Sequence, residues 1–168
     1  MFNNLRHAPW AREALPLAAR LIVGVVLITA GALKLDPIES ARAVRAYRIL
    51  PEAGVQIMGI GLPLLEITLG ILLIVGLGTR FVAALAAVLF VVFIAGIISV
   101  WIRGISIDCG CFGGGGTVQR NQTQYPAEIA RDLGLLLLSL ALVWRPQSKI
   151  SLDGLLGLFG PRPDTAEA

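Results

Sequence analysis

Four stretches of the chain are apolar for long enough to cross a bilayer, and the polar residues collect between them. A hydrocarbon core of about 30 Å takes about 20 residues of helix. The first stretch, 17–35, carries Arg20 and Lys34 near its ends, where long side chains can snorkel to the headgroups. The second, 53–76, holds one carboxylate, Glu66, near its middle. The third, 81–103, is uncharged until Arg103, and the turn Gly76-Leu77-Gly78-Thr79-Arg80 joins it to the second as a hairpin. The fourth, 127–144, follows Pro126 and places Glu128, Arg131 and Asp132 ahead of the apolar run Leu133 to Val143. The pattern predicts an all-α membrane protein, a four-transmembrane-helix bundle forming a single domain over 17–145. A polar lead, 1–16, with Trp10 as an interfacial anchor, precedes it, and a basic tail, 146–168, follows. Ala30-Gly31-Ala32 has the small residues of a signal-peptide cleavage site, but the long polar lead and the continuing apolar run favour an uncleaved helix.

Between the first two spans, Asp36-Pro37-Ile38-Glu39 has the features of a helix start: an N-cap, a proline at the first position and an acid in the first turn. A short amphipathic interfacial helix is expected, with Ile38, Ala41 and Val44 toward the membrane, Arg42, Arg45 and Arg48 toward water, and Pro51 as its stop. Composition agrees with a membrane setting. The chain is 56% hydrophobic and 15% charged, with a mean hydropathy of +0.79, outside the range of soluble domains of 168 residues. A net charge of +3 suits basic flanks beside lipid headgroups. No basic cluster interleaved with aromatics suggests nucleic acid as a partner.

The candidate chemistry lies in the loop 104–126. Both cysteines of the chain, Cys109 and Cys111, stand there in Asp108-Cys109-Gly110-Cys111-Phe112-Gly113, separated by one glycine and followed by further glycines. A disulfide across such a short ring needs a sharply bent backbone, which Gly110 permits; Phe112 and Gly113 complete the loop geometry. A strained bond of this kind belongs with labile or catalytic disulfides, so a cycling Cys109/Cys111 pair is expected. Two alternatives remain: inert buried thiols, and a structural zinc site. The zinc reading is weakened by the supply of two thiols and one distant histidine, His7, where four ligands are usual. No metal is expected. Arg103 or Arg131 near a cysteine would favour its thiolate, while Asp108 would oppose that or act on protons, with Lys34 and Asp132 at the same membrane boundary.

Glu66 is the second focus. A carboxylate at the bilayer centre costs on the order of 2.5–3.5 kcal/mol even on permissive scales. Gly59, Pro63, Glu66 and Gly70 share one helical face, so the acid should point into the bundle among small residues. It is expected to be protonated, to pair with Lys34 or Arg103, or to handle protons for a redox ligand. On the third span, Gly96, Ser99 and Arg103 form a candidate inner face leading to the cysteine loop. Four spans put both termini on one side, and lysines and arginines divide evenly between the two sides. Because disulfides persist outside the cytosol, the cysteine loop is expected to be extracytoplasmic and the termini cytoplasmic, in a bacterial inner membrane.

The residues Ala30 to Leu35, Tyr47 to Pro51, Glu66 to Gly70, the Gly-Leu-Gly-Thr-Arg turn, the Asp108 to Gly113 motif and Arg131-Asp132 together resemble the MauE/DoxX-like redox-associated membrane protein family, over about Leu17 to Trp144. The Cys-Gly-Cys-Phe-Gly motif is the specific part of that likeness. The resemblance implies a four-helix membrane bundle tied to thiol and disulfide chemistry, a thioredoxin-fold partner, and support for maturing disulfide-rich exported proteins, as proposed for the small subunit of methylamine dehydrogenase in methylamine utilisation. A thiol–disulfide oxidoreductase then needs an electron sink, and the absence of a haem, flavin or iron–sulfur signature makes a membrane quinone the expected acceptor. The alternative is a non-catalytic assembly or solute-transport subunit, with Glu66 and the charged helix ends as a packing network or solute path.

Overall fold

The computed structural model describes residues 9–110, 114–119 and 123–144, with side chains from Leu15 onward. Cys111, Phe112 and Gly113, residues 1–8 of the polar lead, and the tail from 145 lie outside the described residues. Among the described residues five helices form: α1 (Pro9–Leu33), α2 (Pro37–Ala46), α3 (Glu52–Val75), α4 (Thr79–Ile102) and α5 (Tyr125–Trp144). Three of them contain segments long and apolar enough to cross a membrane: Leu15–Leu33, Glu52–Val75 and Thr79–Ile102. The chain is therefore a multi-pass helical membrane protein. The long helices pack in a ring, α1 on α3 and α5, and α4 on α5 and α3, around a core that includes Val23, Leu27, Leu73, Ala83, Ala86 and Leu142.

α1 and α3 approach each other closely, and glycine makes it possible. A Cβ at Gly31 would lie 2.7 Å from the Pro63 carbonyl oxygen, and one at Gly70 would lie 2.7 Å from that of Gly24. Any larger residue would force the backbones apart, so these helices meet through small residues, the usual interface where lipid supplies no hydrophobic contrast. Gly59, Pro63, Glu66 and Gly70 are all buried on that face of α3.

The α3–α4 hairpin turns on two left-handed glycines, Gly76 (φ 77°) and Gly78 (φ 60°). Arg20 does not snorkel outward as the sequence suggests. It is 1% exposed, and its guanidinium donates to the carbonyls of Leu73 (2.9 Å) and Ile74 (3.1 Å), filling the space a Cβ at Gly76 would take. Carbonyls at a helix C-terminus have no partner of their own within the helix and carry the negative end of its dipole. They hold this charge inside better than a distant headgroup would.

At the opposite end α2 forms where expected. Asp36 Oδ1 accepts from the backbone N–H of Ile38 (2.8 Å) and Glu39 (3.3 Å), and Pro37 occupies the first turn. Arg42, Arg45 and Arg48 are exposed, but the buried face is Ser40, Ala43 and Ala46, while Ala41 packs against Gly59 of α3 rather than facing lipid. The loop between α4 and α5 is more ordered than four glycines predict. A short antiparallel ladder pairs β1 (Ile107–Asp108) with β2 (Gly116–Thr117), Ile107 opposite Thr117 and Asp108 opposite Gly116, and β2 rests on α2.

Replacing Arg20 by Met removes charged hydrogen bonds to the α3 terminus, each worth about 1.5–3 kcal/mol. The expected outcome is a lower midpoint in thermal unfolding of the detergent-purified protein, with the cysteine end unaffected in thiol accessibility.

Candidate functional site

The thiol loop is held by two tyrosines from different helices. Tyr47, just past α2, donates its hydroxyl to the Cys109 carbonyl (3.0 Å), and its ring lies over Gly96 of α4. Tyr125, the first residue of α5, accepts from the Ile107 N–H (2.9 Å) and donates to the Ile105 carbonyl (2.6 Å). Ile97 and Val100 of α4, Ala46 of α2 and Ile107 pack with Cys109 and Tyr125 into a small apolar cluster beneath the loop. The buried line of α4 thus runs through Ile97 and Val100. The candidate inner face of Gly96, Ser99 and Arg103 is half-buried or exposed.

Glycine lets the loop lie on α2. Gly110 (φ 67°) and Gly115 (φ 94°) sit against Ala43, whose Cβ would be 2.9 and 2.5 Å from a Cβ placed on them. Asp108 Oδ1 accepts from the Gly110 N–H (3.1 Å), closing the turn around Cys109. Asp108 therefore shapes the loop in addition to carrying charge.

Cys109 is 8% exposed. Its thiol and its backbone N–H both donate to the carboxylate of Glu128 in the first turn of α5, whose Oε2 has no hydrogen-bond partner among the described residues. The ligand atoms of Asp108, Cys109 and Glu128 lie within 4.8 Å of one another. The trio offers three donors where a structural zinc site takes four. It is also an arrangement in which an acid receives a proton from a thiol. Glu128 was not singled out in the sequence as a partner of Cys109; its place one helical turn before Asp132 is the signal that could have found it.

Below the loop, Lys34 at the end of α1 meets Glu66 of α3 at 2.6 Å, with side chains 7% and 0% exposed. Lys34 also stands 5.3 Å from the Phe93 ring centroid, a cation–π contact. Glu66 is thus paired with Lys34, and Arg103 takes no part. Arg103 is exposed and donates to the carbonyls of Tyr47 and Arg48, where it caps the end of α2. Asp132, 2% exposed, accepts from its neighbour Arg131 (3.0 Å) and lies close enough to interact electrostatically with both Glu66 and Lys34. Of the residues marked in the sequence, the structure gathers Lys34, Glu66, Arg131 and Asp132 into one four-charge cluster, places Asp108 and Cys109 in the loop at the same end of the bundle, and sets Arg103 apart.

A helical membrane protein with a glycine-folded thiol loop pinned over a buried ion cluster is the class these features define. The family model for methylamine utilisation protein MauE matches residues 12–145, and the chain belongs to that family. It is similar to the methylamine utilization protein MauE of Paracoccus denitrificans, 31% identical over 130 residues, which cover 74% of this chain and 66% of that relative, just under two thirds of its length. No solved structure matches the chain.

The buried pair gives a stability prediction. Glu66→Met or Lys34→Met alone leaves an uncompensated charge and should cost about 3–5 kcal/mol, whereas the double replacement Lys34→Met with Glu66→Met should recover most of the loss. Membrane abundance and unfolding midpoint of the three variants check this. Equal damage in single and double variants would refute the pairing.

Proposed function

We propose that this chain is an integral membrane thiol–disulfide redox protein in which Cys109 and Cys111 exchange electrons between an extracytoplasmic thioredoxin-fold protein and a membrane quinone. The observation that carries this reading is the Cys109 thiol, buried in a loop that two tyrosines hold in place and donating to Glu128. A thiol that must give up a proton each time it is oxidised needs an acceptor within hydrogen-bond reach. An inert core cysteine does not.

In this reading α5 is the fourth span, α2 lies in the interface, and the thiol loop is on the extracytoplasmic side of a bacterial inner membrane, where disulfides persist. A thiolate of the partner attacks one sulfur of the Cys109–Cys111 disulfide, forming a mixed disulfide and releasing the other sulfur as thiolate. The partner's second thiolate then displaces that sulfur, leaving the partner oxidised and this chain a dithiol. The dithiol passes its two electrons to the quinone, and the thiol protons complete the quinol. Family membership supports a role connected with methylamine utilisation, and we extend it to the maturation of a disulfide-rich exported protein such as the small subunit of methylamine dehydrogenase.

We give Cys109 the resolving role, which its burial supports, because a folded partner reaches a sulfur 8% exposed only with difficulty. Cys109→Ser, which keeps Cys111, should accumulate a mixed disulfide with the partner, and Cys111→Ser should trap little. Non-reducing gels and mass spectrometry of the two variants read this out. Trapping in neither variant, with full function in both, would leave the alternative of a non-catalytic assembly subunit, which the closely paired Lys34–Glu66 scaffold would also serve.

A further inference from the structure

Three carboxylates descend from the thiol into the bundle. Glu128 and Asp132 are one turn apart on α5, which places their Cβ atoms about 5–6 Å from each other on one helix face. Glu66 faces Asp132 from α3. Lys34 already occupies Glu66 Oε1, and Arg131 occupies Asp132 Oδ1. The other oxygens, Glu66 Oε2 and Asp132 Oδ2, are buried and have no hydrogen-bond partner among the described residues. Both residues line one cavity of about 10 Å³, with Arg131, Ala30, Phe90 and Phe93 among its walls.

A buried carboxylate oxygen without a donor is costly, and two facing the same cavity are costlier still because their charges repel. A water molecule can resolve this, since it donates two hydrogens and needs roughly 10–15 Å³ of such space. The local charge balance matters as well. Two cations, Lys34 and Arg131, face two carboxylates, so one added proton gives the cluster a single positive charge.

We infer that Glu66 and Asp132 bind one water between them and that this unit receives the Cys109 proton by way of Glu128, carrying it from the loop into the membrane interior. The inference rests on the proposed redox function for the event that releases the proton. The S–H bond of Cys109 breaks, Glu128 takes the proton, and the thiolate keeps the electron pair for disulfide formation. Glu128 then passes the proton to the Asp132–water–Glu66 unit, with a water able to bridge the helical turn between the two α5 acids. The electrons go to the quinone, and the held proton is one of those its reduction consumes. Asp132 and Glu66 act here as proton carriers, and Lys34 and Arg131 hold them in place.

The test fills the cavity without touching a charge. Ala30→Val adds apolar volume to the wall in place of the water, and Asp132→Asn removes one carrier. The full-length protein is reconstituted in proteoliposomes, reduced, and its reoxidation by a short-chain quinone is followed by thiol alkylation in H2O and D2O. Wild type should show a solvent isotope effect. Ala30→Val should be present at normal levels yet reoxidise on the order of ten-fold or more slowly, with Ala30→Gly retaining the wild-type rate. Wild-type rate and isotope effect in both Ala30→Val and Asp132→Asn would overturn the proton path and leave the redox function standing. Failure of the wild type to reoxidise at all would instead overturn the function on which it rests. If Asp132→Asn does not accumulate, Ala30→Val alone decides.

Discussion

The contact between Lys34 and Glu66 sets the terms for the rest of the molecule. A charge of either sign deep in a bilayer segment is unfavourable by several kcal/mol unless it is neutralised nearby. Satisfying both requires the end of α1 and the middle of α3 to come together at 2.6 Å between nitrogen and oxygen. The backbones of the two helices also run close together, and Gly24, Gly31 and Gly70 along the same seam leave the room for it. The seam in turn places Asp132 of α5 and the ring of Phe93 from α4 against the pair, so all four long helices contribute to enclosing one charged site. Arg20, at the far end of the same α1–α3 seam, ties the α3 terminus to α1 through carbonyl oxygens. The buried cations Arg20, in α1, and Lys34, just past its end, thus fix α3 at two heights.

The thiol loop depends on that arrangement through α2. Because α2 packs on α3, through Ala41 against Gly59, its position follows the seam, and its Ala43 face becomes the platform on which Gly110 and Gly115 rest. A larger residue at any of these three positions would lift the loop. Tyr47 and Tyr125 then anchor it from two sides by backbone oxygens and nitrogens, which fixes the main chain around Cys109 without involving the sulfur. The sulfur's polar neighbour is Glu128, from the helix that also supplies Asp132. The loop and the ion cluster are thereby rigidly related through α5, although they are far apart in sequence.

Much of this was legible in the sequence, and the limits have physical reasons. The long apolar segments are read from length alone, and the α2 N-cap from local chemistry at Asp36 and Pro37, because both depend on neighbours in the chain. Glu66 was legible as inward-facing, since membrane cost and helical spacing suffice for that. Its partner was not. Lys34 and Arg103 both end helices at the correct side, and only packing decides that Arg103 instead caps the carbonyls of Tyr47 and Arg48. Arg20 was misread for a similar reason: its acceptors, Leu73 and Ile74, are backbone groups of another helix, and carbonyls leave no signature in a sequence. The two-residue strands of the loop were missed because glycine runs encode freedom, while the ladder between Ile107 and Thr117 is imposed by the helices at each end. Glu128 was legible as an acid at the start of the fourth span, but its contact with Cys109 depends on how the loop folds back onto α5.

That last point bears on why an acid, not a base such as histidine, stands beside Cys109. A neighbouring cation would stabilise the thiolate and make it persistently reactive. A carboxylate accepting from the thiol favours the protonated, quiet state until electrons are withdrawn, when it is already in place to take the proton. Of the two arginines expected near the thiols, Arg103 donates to the carbonyls of Tyr47 and Arg48, whereas Arg131 pairs with Asp132 and also acts electrostatically on Glu128, the acceptor of the Cys109 thiol. In the redox reading proposed above, Glu128 ties reaction of the Cys109 thiol to the presence of an acceptor for its proton.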